Sequence, residues 1–242
     1  MGDVREVAAL MQVFRVDDVR PERYVARLTR DERYVLAQVA EQVIELLESE
    51  VVGLDVDEGD ADVDVPEGWP LAGVTAEVPD APSDSAIARL LPDAAPTEPE
   101  VSAEFRRLTQ QDVARHKVAR LVDLIGRLVR AEESTGAASA TAFFSEDDLG
   151  LGARDVVVGR DEAADVAGAL TDLRLVLADR LEIVDEESAE RLDDAVAAAW
   201  EGRPRAEHGL DERVRLLGSV YVLTGFLQDS LVELMLADLR SR

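Results

Sequence analysis

The sequence predicts a mainly α fold: a helical bundle around a long C-terminal helix, with a small N-terminal β-hairpin. Two observations carry the helical part. Leu210 to Leu239 reads as one helix of about 30 residues, which spans ~45 Å at ~1.5 Å per residue. Its apolar residues line two sides, with Val214, Leu217, Tyr221, Thr224, Leu231 and Met235 on one and Leu216, Val220, Leu223, Leu227 and Leu234 on another. A helix apolar on most sides must be covered on most sides, so other helices are expected to pack around it, or a second copy to cover one face as a homodimer through this helix. The third observation is at the other end. Gln12–Val16 and Glu22–Leu28 read as short strands separated by Asp17-Asp18 and Pro21, a hairpin pattern.

The remaining elements follow in order. Residues 1–11 read as a ragged helical start or a tail. Thr29-Arg30-Asp31-Glu32 is a capping box, and the apolar spacing of Val35, Leu36, Val39, Val43, Ile44, Leu46 and Leu47 continues the helix to about Glu50. Glu50 to Asp80 holds ten acidic residues, no basic one and three prolines, so 51–82 is read as an acidic variable loop within one helical domain covering 1–242. Its run DVDEGDADVD fails the calcium-hand pattern: counted from Asp55, the fifth, sixth and twelfth positions are Gly59, Asp60 and Pro66. Trp69 is expected to pin this loop to the body.

Ser83 or Asp84 caps a short helix that Pro92 ends. Glu100–Leu108 is expected as another short helix, and Thr109 as the cap of a following one whose core face runs from Val113 to Val129. Glu132–Ala142 is read as a loop, with Phe143 and Phe144 returning to the core. Residues 155–159 (DVVVG) are one short strand or an extended lead-in. Asp161 opens a further helix, Ser188–Trp200 forms another, and the final helix follows Gly209.

Composition narrows the function. The net charge is -26 with a pI near 4.3, which opposes a default nucleic-acid binder and an anionic membrane surface. There is no cysteine, which excludes disulfides and thiolate metal sites. The uncharged run Leu216–Gln228 is 13 residues long, short of the ~18–20 that a membrane span needs. MGDVREVAAL lacks the pattern of a signal peptide. A soluble, cytoplasmic protein is expected.

Chemistry has few candidates. Asp112 and His116 are four apart and share a helix face; a carboxylate orienting an imidazole is an ingredient of acid–base or metal chemistry, and equally an ordinary surface pair. His208 sits in a turn. No phosphate-binding glycine motif or nucleophile elbow occurs, and Gly150-Leu151-Gly152 has neither a third glycine nor a following helix signal. Arg106, Arg107, Arg115, Lys117 and Arg120 form the one locally basic stretch. It can meet internal or partner carboxylates, or phosphate, and Arg106, Arg107, Arg115, His116 and Lys117 are the candidate partner-binding residues. Asp172 and Arg174 lie in a strongly apolar helix, so each needs a partner. A polar network of Asp172, Arg174, Gln228 and Asp229 is expected, with Arg174 reaching Asp229 or Glu233.

Several blocks together resemble a known family. They are PSDSAIARLLPDA (82–94) with EFRRLTQQDVARHKVARL (104–121), LTDLRLVLADRL (170–181) and VYVLTGFLQDSLVELML (220–236), after an opening FRVDD…YVARLTRDERYVLAQVAEQVIELL. The family is the actinobacterial domain of unknown function two-thousand-seventeen, and the resemblance covers most of the chain. It implies a gene typically beside ClpS, the adaptor of the Clp protease, and no catalytic residues to carry over. The expected function is a non-enzymatic interaction or regulatory protein linked to Clp-dependent proteolysis, without a cofactor. Two rivals stand beside it: a transcriptional regulator contacting DNA through Arg106–Arg120, and a metal-dependent enzyme using Asp112 and His116.

Overall fold

The structure, a computed structural model, describes residues 14–51, 82, 84–133 and 154–241. The start at 1–11, the acidic stretch 52–81 with Trp69 and its calcium pattern, Phe143 and Phe144, and Gly150-Leu151-Gly152 lie outside the described residues. The described elements run β1 (Arg15–Val16), β2 (Arg23–Leu28), α1 (Arg30–Val51), α2 (Ser85–Leu90), α3 (Pro99–Val129), β3 (Glu132–Glu133), β4 (Arg154–Gly159), α4 (Ala163–Arg180), α5 (Glu186–Trp200), α6 (Arg205–His208) and α7 (Glu212–Arg240). The fold is mainly α around a long C-terminal helix, with the N-terminal β1–β2 hairpin in place.

The hairpin is half of a larger sheet. The strand order is β1-β2-β4-β3, antiparallel throughout, with Tyr24 opposite Val158 and Ala26 opposite Val156. The DVVVG segment is therefore a central strand. Its alternation puts Val156 and Val158 on the core face beside Tyr24, Ala26 and Leu28. Arg27 and Asp155, opposite each other in the register, form a nearly buried cross-strand ion pair at 3.4 Å. Glu132–Glu133, read as loop, adds the edge strand β3.

Local chemistry explains most helix starts. The Thr29 hydroxyl accepts from Glu32 N at 3.3 Å, and Glu32 Oε2 accepts from Thr29 N at 2.7 Å, closing the box that opens α1. Asp84 caps α2 by accepting from Ala86 N and Ile87 N. Asp185 and Ser188 form a second capping box, so α5 starts at Glu186, two residues before the expected Ser188. Asp211 caps α7 by accepting from Val214 N.

One expected boundary is absent. Glu100–Leu108 and the segment after Thr109 are a single 31-residue helix, α3. No proline or glycine occurs between Glu100 and Ile125, and Pro99 sits at the first turn, where its missing N–H costs nothing. Thr109 does not cap; its hydroxyl donates to the Phe105 carbonyl one turn back, at 2.8 Å.

Helix α7 is enclosed over its middle. Every residue from Gly218 to Gly225 is buried, packed chiefly against α4 and α5. Gly218 permits the close approach of α5: a Cβ there would lie 2.9 Å from Val196 Cγ2 and 3.1 Å from Leu192 Cδ1. By length and composition α7 could cross a bilayer, but this central stretch forms part of the core. Past Leu231 the enclosure ends, and Val232, Leu236 and Leu239 are exposed. The chain itself thus covers both apolar sides of α7 over its middle turns, whereas a dimer through that helix needs one of them left for the second copy.

Candidate functional site: the two faces of helix α3

Helix α3 brings basic residues to a buried acid. Asp172, on α4, is 1 % exposed. Its Oδ1 accepts from Lys117 Nζ at 2.6 Å, and its Oδ2 accepts from Arg120 Nε at 3.0 Å and Nη2 at 2.6 Å. Lys117 and Arg120 are three apart, so both reach the same side of α3. Arg120 can lie flat against α4 because residue 168 is glycine; a Cβ there would collide with the guanidinium. The Arg120 fork matches the carboxylate edge, the geometry that makes such pairs strong.

The expected network of Asp172, Arg174, Gln228 and Asp229 is two separate clusters, and Asp229 is in neither. Residues two apart on a helix point about 200° apart, given 3.6 residues per turn, so Asp172 and Arg174 face opposite ways. Arg174 turns to α7. It donates to Gln228 Oε1 at 3.2 Å and Tyr221 Oη at 3.4 Å, and its guanidinium lies 5.1 Å from the Tyr221 ring centroid. Gln228 Nε2 in turn donates to Thr171 Oγ1 at 2.7 Å. Asp229 and Glu233 are exposed on the far side of α7, so Arg174 takes a neutral amide and a ring in place of a carboxylate.

Asp193 of α5 borders this second cluster. Burial pushes its carboxyl above the ordinary value of 3.8, Arg174 works against that rise, and the neighbouring Asp194 and Glu190 add to it. The folded state therefore holds the proton more tightly than the unfolded chain does. An acid with a raised folded pKa costs stability once pH passes that pKa, and costs none below the unfolded value. Asp193→Asn is expected to raise the urea midpoint at neutral pH, with the gain disappearing below about pH 3.8. Urea denaturation across pH checks it.

The other basic residues of α3 are largely matched within the chain. Arg106 pairs with Asp93, Arg107 makes two hydrogen bonds to Glu104, and Arg115 lies 3.4 Å from Asp112. Arg127 bridges Asp123 and Glu162 and donates to the Val157 carbonyl. Glu162 also accepts from Gly159 N, and the Arg127 hydrogen bond holds its carboxyl below the ordinary range. Of the five residues read as a partner surface, Lys117 is turned inward; Arg115 and His116 are exposed. Asp112 and His116 share a face as their spacing requires, but Asp112 takes Arg115 and no hydrogen bond joins it to His116 among the described residues. Nor do three histidine or carboxylate side chains gather as a metal site among the described residues.

The face of α3 opposite Asp172 is different. Val101, Phe105, Leu108 and Val122 are 45–57 % exposed, and Val129 is 71 % exposed. They lie along one side of the helix as a crest in two parts, Val101, Phe105 and Leu108 spaced four and three apart and Val122 and Val129 seven apart, with a fourteen-residue step between them that carries exposed Asp112, Arg115 and Ala119. Sequence reading missed this crest because it counted Val113, Val122 and Val129 towards the core. The missed partners Gly168, Thr171 and Tyr221 had a signal only for the first: a glycine one turn before a buried acid.

The fold and this helix define a helical protein on a small antiparallel sheet, with the buried Asp172 held by cations from α3 and an apolar crest left outside. The chain belongs to the family described as Domain of unknown function (DUF2017), whose model matches residues 11–235. No curated protein and no solved structure matches it.

Proposed function

We propose that the chain is a non-catalytic, cytoplasmic interaction protein whose docking surface is the outer face of α3. The observation that supports this most is the exposed cluster of Val101, Phe105 and Leu108, continued along the same side by Val122, since grouped exposed apolar side chains mark interaction sites more often than scattered ones. Charge supports the same face. In a chain of net charge -26, the crest is bordered by the matched pair Glu104 and Arg107 and interrupted by the matched pair Asp112 and Arg115, so a partner meets little net repulsion there. The regulatory link to Clp-dependent proteolysis rests on the gene neighbourhood that the family resemblance implies.

The test is affinity capture from the protein's own lysate with wild type and a Phe105→Glu/Leu108→Glu variant, followed by mass spectrometry and a nucleic-acid stain. Wild type is expected to retain a protein that the variant loses, and Clp adaptor, unfoldase or peptidase among the losses supports the proteolytic link. Identical captures from the two contradict the docking surface. Nucleic acid in the wild-type eluate alone supports a DNA-contacting regulator.

A further inference from the structure

We infer that the occupant of the α3 crest is a second copy of this chain, packed antiparallel about a two-fold axis between Val113 and Ala114. The inference rests on the reading of that face as a docking surface and names its partner. A two-fold there sets each residue of α3 opposite the one whose number completes the same sum; the central outer positions then match, and the one like-charge juxtaposition on this face, Glu104 opposite Asp123, is offset by the Arg107 and Arg127 that each already holds. Phe105 faces Val122 of the second copy, and Leu108 faces Ala119, so a large side chain meets a smaller one at each step. Asp112 faces Arg115, and by symmetry Arg115 faces Asp112, so the polar break in the crest closes on itself as two reciprocal ion pairs. Asp112 and Arg115 have 82 % and 63 % exposed side chains and a loose 3.4 Å contact within the chain, so both are available to a second copy.

Electrostatics favour this face over the other exposed apolar stripe. A copy approaching this chain brings a charge of -26, and repulsion opposes contact over most of the surface. On α3 the crest is bordered by paired charges. On α7 the stripe Val232, Leu236 and Leu239 has exposed Asp229 and Glu233 beside it, with Arg240 alone to set against them.

The experiment is light scattering of the full chain, with variants that read the register. Wild type is expected at twice the chain mass, dissociating on dilution. Phe105→Glu is expected as monomer. Asp112→Arg and Arg115→Asp each place like charges across the axis and weaken the dimer about tenfold, and the double variant D112R/R115D restores it with the signs reversed. Because the chain has no cysteine, Leu108→Cys/Ala119→Cys gives an oxidised cross-linked dimer, whereas Leu108→Cys alone does not. A wild-type monomer overturns the proposal, and so does a dimer that ignores F105E and the charge exchange. A dimer broken by Val232→Glu alone moves the interface to α7. If wild type is monomeric but the Phe105→Glu/Leu108→Glu variant still loses a captured protein, the docking surface stands and only the second copy falls. If neither property responds, both fall.

Discussion

Asp172→Ala is expected to lower the unfolding free energy by about 3 kcal/mol, because it leaves Lys117 and Arg120 without their buried carboxylate. The carboxylate is 1 % exposed, and Lys117 and Arg120 retain only 13 % and 18 % side-chain exposure. Neither cation can recover full hydration without the α3–α4 contact opening. The loss should appear in urea denaturation followed by far-UV circular dichroism. Replacing all three groups together, Asp172→Leu with Lys117→Met and Arg120→Met, is expected to be nearly neutral. Such a cluster earns its place more through the cost of breaking it than through its net stabilisation. A triple variant as unstable as the single one would show that the carboxylate has further work in the fold.

Leu231→Ala on α7 is expected to cost about 3 kcal/mol, while Leu239→Ala changes stability by no more than about 0.5 kcal/mol. Leu231 is fully buried, so truncation removes its transfer energy and leaves a cavity. Leu239, eight residues on, is 65 % exposed. The contrast places the end of the enclosed part of α7. Thermal and urea denaturation of the two variants check it, and similar losses from both would mean that the last turns are covered as well.

Much of this fold follows from local rules. The capping box at Thr29 and Glu32, the strand alternation of Tyr24, Ala26 and Leu28, and the all-round apolarity of α7 each act within a few residues and are readable without neighbours. What was not legible depends on distant partners. Whether residues 154–159 join β2 is decided by cross-strand pairing over more than a hundred residues of chain. The split placed at Thr109 reflects the double use of threonine, whose hydroxyl serves equally at a cap and within a helix against the preceding turn.

The candidate site shows the same limit. Asp172 plainly needed a partner, and Lys117 and Arg120 were visible as cations, but nothing local says that α3 lies beside α4. The opposite facing of Asp172 and Arg174 was legible from the helical period alone, and it already separated the two clusters. Asp229 failed as a partner for the same reason: it sits about 100° around α7 from Gln228, on the solvent side. The apolar crest was hidden because an apolar residue on a helix is ordinarily assigned to the core, and only burial shows that Phe105, Leu108 and Val122 are outside.

That α3 has one structural face and one free face depends on the inner contact. The most direct measurement is a double-mutant cycle on Asp172→Ala and Arg120→Ala by urea denaturation. The two-bond contact between Arg120 and Asp172 predicts a coupling of about 2 kcal/mol. Additivity within about 0.5 kcal/mol would contradict it, and would return Arg120 to the solvent-facing basic stretch.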